Sequence, residues 1–192
     1  MKLKLIYENI VREAKQVGIL YHYTSFDSAE NIINSGYIRG NKLPDHDSIS
    51  LSFTRDKNFH KEYREIGGDK GGLLEVRFVI DGNKLSNKFK IQPYAQTGYE
   101  KGTTNFESEE IILAPIDKDI RVSLKDYTIS VDFLYEPLRD YGIKKPWEYI
   151  NNINKVKKMG IPINIVDKNG NPVSRKERNK FGNWLRINRI VS

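Results

Sequence analysis

Polar and apolar residues alternate along several short stretches in the middle of the chain and follow a helical period near both of its ends. Leu3, Ile6, Tyr7, Ile10, Val11 and Ala14 fall close to i, i+3, i+4 spacing, which predicts an amphipathic helix over 3–17 that stops near Gly18. Ile19 to Tyr23 is a short apolar run and predicts a strand. Ser25 or Asp27 then caps a helix through Ile33, and Ser35-Gly36 ends it, because glycine reaches the left-handed conformation cheaply. Tyr37-Ile38 starts another extended piece, and the polar stretch 40–48, with Pro44, reads as a loop. Ile49 to Thr54 alternates as a half-buried strand does, Asp56 to Glu65 fits a helix, and Gly67 to Gly72 is a break. Leu73 to Ile80 is the clearest strand, with a turn expected at Asp81-Gly82-Asn83.

Farther along, Lys84 to Pro93 reads as a helical turn followed by extended chain, and 95–105 as a loop. Glu110 to Pro115, Ile120 to Leu124 and Tyr127 to Phe133 are β-like. Trp147 to Met159 predicts a helix with Trp147, Ile150, Ile153 and Val156 on one face. Ile161 to Val166 is a strand, Asn169-Gly170 a turn, and Ser174 caps a last basic helix that carries Phe181, Trp184 and Leu185. Helices mixed with many short strands, without βαβ alternation, point to an α+β fold. Neither a repeat nor a long linker divides the chain, so one domain over 1–192 is expected.

Composition narrows the picture. With 192 residues, 38% of them hydrophobic and 30% charged, the chain can bury a core and reads as globular. It has no apolar run near the roughly 20 residues of a membrane span, and its start lacks the apolar centre of a signal peptide. No membrane partner is expected. The absence of cysteine excludes disulfides, thiolate nucleophiles and Cys-based zinc sites, and it fits a reducing compartment: the cytoplasm, a host's included. His22, His46 and His60 lack ligand spacing, so no metal is expected. The net charge of +7 is uneven. Residues 154–192 hold ten Lys and Arg against two acids, a basic extension suited to polyanions, to acidic proteins or simply to solubility.

Three segments carry chemistry. His22 closes the first strand in Tyr21-His22-Tyr23-Thr24-Ser25. In Ser50-Leu51-Ser52-Phe53-Thr54-Arg55, strand alternation puts Ser50, Ser52 and Thr54 on one face and Leu51 and Phe53 on the other. The acids Glu107, Glu109 and Glu110 crowd the start of the strand that ends at Pro115.

A His, a hydroxyl-aromatic element and a Glu, in that order on three strands, resemble the NAD site of ADP-ribosyltransferases over about residues 19–116. The resemblance implies a split antiparallel β-sandwich with flanking helices, two small sheets gripping NAD as co-substrate. It implies that His22 orients a ribose, that the Tyr23 backbone and Thr24 hold the nicotinamide, and that Ser52 and Thr54 support the pocket. Phe53, Phe59 or Tyr63 would stack on the nicotinamide, and Arg55 or Arg39 would meet the pyrophosphate. Glu110-Ile111-Ile112-Leu113-Ala114-Pro115 is similar to the family's catalytic strand, of the form Glu-Val-Leu-Ile-Pro-Pro. It makes Glu110 the catalytic acid, with Glu109 the competitor; Glu109 would bring Glu107 into the pattern of arginine-modifying members. The implied activity is mono-ADP-ribosyl transfer to a protein or nucleic-acid acceptor, as by a phage or bacterial effector. An RNA 2′-phosphotransferase or an NAD glycohydrolase on the same fold is the alternative. A third reading is a basic, non-enzymatic binding module of a phage or mobile element.

Overall fold

The structure is a computed structural model that describes residues 17–42, 47–59, 74–93, 109–134, 146–167, 170–176 and 179. The helix expected over 3–17 lies outside the described residues apart from its end, as do Tyr63, most of the Asp56–Glu65 helix, the 95–105 loop, Glu107, Ser108 and nearly all of the last basic helix.

Strand β1 (Ile19–Thr24) leads into helix α1 (Phe26–Ser35), whose N-cap is Ser25, with its hydroxyl accepting from Ser28 N–H. Gly36 closes the helix at φ 75°, a left-handed conformation in which its N–H reaches the Ile32 carbonyl. Strands β2 (Tyr37–Arg39) and β3 (Asn41–Lys42) follow. The second falls inside the expected 40–48 loop. Gly40 links them where a Cβ would sit 2.5 Å from Ile49 Cγ2, so only glycine allows β3 to lie against the next strand, β4 (Ser48–Thr54).

Strand β5 (Val76–Asp81) is followed directly by the short helix α2 (Gly82–Ser86). The expected Asp81-Gly82-Asn83 turn is therefore a helix start, with the Asp81 carboxylate accepting from Lys84 N–H. Strands β6 (Ile91–Pro93) and β7 (Glu109–Pro115) come next. A single helical turn, α3 (Leu124–Tyr127), separates β8 (Arg121–Ser123) from β9 (Thr128–Leu134). Helix α4 (Pro146–Lys158) and strand β10 (Ile163–Val166) complete the set.

The fold is mixed α/β with a mainly antiparallel sheet. Eight strands run in the order β10-β9-β5-β1-β4-β7-β6, with β3 beside β4, and β2 and β8 form a separate ribbon. Among the described strands only β10 and β9 pair in parallel. The sheet is nearly cut in two. β1 meets β5 through six residue pairs but meets β4 through one, Tyr21 with Thr54. Beyond that pair β4 turns to β3, through Ser50 with Asn41. The resemblance implied two small sheets; the strands instead form one connected eight-stranded sheet that narrows to a single residue pair between β1 and β4, with the β2–β8 ribbon apart from it.

One face of the sheet carries Leu20, Leu51, Phe53, Phe78, Ile80, Ile112, Val131 and Phe133, which pack with Ala29 and Ile33 of α1, Ile38 and Val122 of the ribbon, Leu85, Leu124 and Val156 in one core. At about 25 cal/mol per Å² of apolar surface removed from water, this cluster is the main source of stability.

Candidate functional site

Register decides which side chains meet. Continuing from Tyr21 opposite Thr54, His22 falls opposite Phe53, and the two rings meet edge-on with centroids 6.0 Å apart. Phe53 pairs in turn with Glu110 on β7, and His22 pairs with Phe78 on β5. Phe78, His22, Phe53 and Glu110 therefore form one row on the core face, because directly opposed residues share a face. Glu110 lies two strands from His22, roughly 10 Å by strand spacing.

The split gives His22 its hydrogen bond. Ser50 is paired by β3 and Thr54 by β1; Ser52 lies between, and His22 Nδ1 donates to its carbonyl at 3.1 Å. A carbonyl only accepts, so Nδ1 carries the proton and Nε2 of the neutral ring is left as an acceptor. Burial beside Phe53 and Phe78 holds the imidazole pKa below its ordinary 6.5, partly offset by the Ser52 carbonyl. The unfolded chain takes up a proton at His22 more readily than the folded protein does. The stability this group contributes is thus full above 6.5 and is lost as pH falls below it. Melting temperature is expected to drop from about pH 7 to about pH 5.5, and His22→Asn, which keeps a donor for Ser52 but does not titrate, flattens that drop. An equally steep drop in the variant would assign it to other groups.

A cleft of about 530 Å³ opens where β1 leaves β4. Its walls are His22, Tyr23 and Thr24 on one side and α1, β2 and Asn41 on the others. This volume lies within the roughly 300–1,000 Å³ usual for small-molecule sites. Among the described residues Ser52 and Glu110 do not line it. Glu110 is 5% exposed, and Arg55 Nε donates to its Oε1 at 2.6 Å. The Arg55 side chain is half exposed, so it can swing away without losing solvation.

The hydroxyls expected to support the pocket face the other way. Ser52 and Thr54 alternate with Phe53 and belong to the opposite face. Thr54 Oγ1 accepts from Asp56 N–H, which makes it a turn residue. The link from Ser52 to the site is its carbonyl alone. Glu109 occupies the alternate register position, opposite Thr54. Of the aromatic candidates, Phe53 sits in the row and Phe59 packs on Tyr23 at 5.9 Å. Arg39 lines the cleft, whereas Arg55 is engaged with Glu110.

Sequence reasoning did not single out a buried polar network on that opposite face. Arg77 is 2% exposed and donates from Nε and Nη2 to Asp132 Oδ2, at 3.0 and 2.6 Å. Its Nη1 donates to the Tyr23 hydroxyl at 3.3 Å and the Lys57 carbonyl at 2.9 Å. Asp132 Oδ1 accepts from Ser130 and Asn164. The Tyr23 hydroxyl also donates to Lys57 O, and its pKa is raised to about 12, by burial first. The network ties β1, β5, β9, β10 and the loop after β4 together behind the row. One signal was legible: an arginine inside the apolar run Val76-Arg77-Phe78-Val79-Ile80 needs a buried counter-charge. Glu75 also went unnoticed. Its carboxylate accepts from Phe26 N–H at 2.8 Å at the head of α1, and burial pushes its pKa up.

Among the described residues no three His, Cys, Asp or Glu side chains gather as metal ligands, and no helix is long and apolar enough to cross a membrane. Compared with known proteins, the chain matches no family model and no curated sequence.

Proposed function

We propose that this protein is a mono-ADP-ribosyltransferase that grips NAD where the two half-sheets part. The observation that carries the reading is the single row from His22 through Phe53 to Glu110, on the face that holds the cleft. The near-split of the sheet supports it further, since it opens a ligand-sized cleft directly at His22.

In this reading the neutral His22 ring accepts a ribose hydroxyl hydrogen bond at Nε2 while the Ser52 carbonyl fixes its tautomer. The Tyr23–Thr24 backbone meets the nicotinamide amide, and Arg39 at the cleft wall meets phosphate. The bond from ribose C1′ to the nicotinamide nitrogen breaks, and its electron pair leaves with nicotinamide. The cationic ribose is stabilised by the Glu110 carboxylate once Arg55 swings outward. A lone pair of the acceptor then bonds to C1′ on the other face, and its proton passes to Glu110 or to water. Water in place of the acceptor gives NAD hydrolysis.

Calorimetric titration with NAD, followed by mass-spectrometric detection of nicotinamide, tests this. Saturable binding is expected, with nicotinamide released in proportion to labelled acceptor in cell extract, and His22→Ala is expected to weaken NAD binding. Stoichiometric nicotinamide without labelled acceptor would make the protein a glycohydrolase. Neither binding nor release would leave a non-enzymatic module.

A further inference from the structure

Helix α4 exposes Asn151, Asn154, Lys155 and Lys158, at i, i+3, i+4 and i+7, so they form one stripe, while Asn152 and Val156 are buried on the other side. Lys155 Nζ donates to Asn34 Oδ1 and joins this stripe to α1. Asn31 and Ser35, on the exposed side of α1, continue it into the cleft, whose far wall carries Arg39 and Asn41. From Lys158 to Arg39 these positions hold amides, hydroxyls and cations, and none is a carboxylate. The acids nearest this path each sit one helical turn before it, Asp27 before Asn31, Glu30 before Asn34 and Glu148 before Asn151, so the acid-free part runs from Asn151 to Lys158 and across to Asn34 and Ser35.

Among the described residues no ion pair engages Lys155, Lys158 or Arg39. Arg39 stands directly opposite Arg121 in the β2–β8 ribbon, where like charges cost stability, and Asp119 serves Arg121. A helix face that is merely solvated usually mixes both signs. This surface instead pairs cations with Asn and Ser donors, the set that contacts sugar and phosphate oxygens. Carboxylates would meet the same cations and amides, so comparison with a polyglutamate peptide decides between the two chemistries.

We propose that the α4–α1 surface binds a nucleic-acid strand and leads it toward the cleft. As the acceptor of ADP-ribose the strand rests on the proposed function; its binding does not. Lys157, Arg175 and Lys176, all exposed, add to the attracting field.

The test is fluorescence anisotropy with labelled oligodeoxythymidylate and oligouridylate of about 20 nucleotides, without NAD, at about 50 and 200 mM salt. Binding is expected to fall steeply with salt. Lys155→Glu with Lys158→Glu should weaken it at least about tenfold and lower the salt slope by about 1–2. Lys158→Glu alone leaves the Asn34 contact intact and should still weaken it several-fold. Lys88→Glu with Lys90→Glu, beside β6 at the far edge of the sheet, makes the same charge change and should matter less than about threefold. Absence of oligonucleotide binding, equal losses in both double variants, or tighter binding of a polyglutamate peptide than of either oligonucleotide would overturn the proposal. Since no arm contains NAD, failure here leaves the transferase reading to its own test.

Discussion

Glu110→Gln is expected to slow nicotinamide release by about 10²–10³-fold with little change in NAD affinity, the loss typical of one electrostatic stabiliser. The substitution keeps the shape of the side chain and an acceptor for Arg55, and it removes the charge. Glu110 is almost fully buried, so its charge acts through little water and matters more than an exposed one. Arg55 loses its ionic partner but is half exposed, so the folded state should survive. Glu109→Gln is the matched control, because Glu109 holds the neighbouring position in the alternate row. If Glu109→Gln is the silent enzyme and Glu110→Gln remains active, the row is not the catalytic one. Arginine then becomes a favoured acceptor, by the pattern that includes Glu107.

Arg77→Ala should produce the largest loss of stability, about 3–5 kcal/mol, because it leaves the Asp132 carboxylate buried without its counter-charge. In a chain of this size that corresponds to a fall in Tm on the order of 10 °C. The Tyr23 hydroxyl and the Lys57 carbonyl lose a donor at the same time, which loosens the segment between Thr54 and Phe59 that carries Arg55. The double variant Arg77→Met, Asp132→Leu should be less damaged than the sum of the single changes, since it removes both charges together. Calorimetric melting of the wild type, Arg77→Met, Asp132→Leu and the double variant measures the coupling. Additive losses would show that the two side chains act independently despite their 2.6 Å contact.

Much of the local structure was legible in the sequence. Ser25 and Gly36 bracket α1 because a side-chain oxygen and a left-handed glycine satisfy the unpaired groups at helix ends. β1, β4 and β5 were visible as apolar or alternating runs. Asp81-Gly82-Asn83 read as a turn leading into a helical turn at Lys84, and the structure merges the two: Asp81 caps a helix that already starts at Gly82 and buries Leu85 in the core. β3 was hidden because Asn41 and Lys42 have low strand propensity, and pairing with β4 overrides it. The large face of the sheet was partly legible: alternation separated Ser52 and Thr54 from Phe53, but not which of the two faces the ligand would meet.

The sequence by itself determined the ends of α1, the places of β1, β4, β5 and β9 and which of their side chains share a face, because these depend on neighbours within a few residues. It also put a histidine, a hydroxyl-aromatic strand and an acidic strand in order. The tertiary structure decided what pairing alone can fix. It joined β1 to β4 through one residue pair, so that the sheet parts at His22 and a side chain takes the Ser52 carbonyl. It set Glu110, and not Glu109, in the row with His22, a difference of one residue in register that reverses every side chain on β7. It brought Arg77 to Asp132, which is 55 positions away. Such choices rest on contacts between distant segments, whose energies are realised only when the whole sheet has formed.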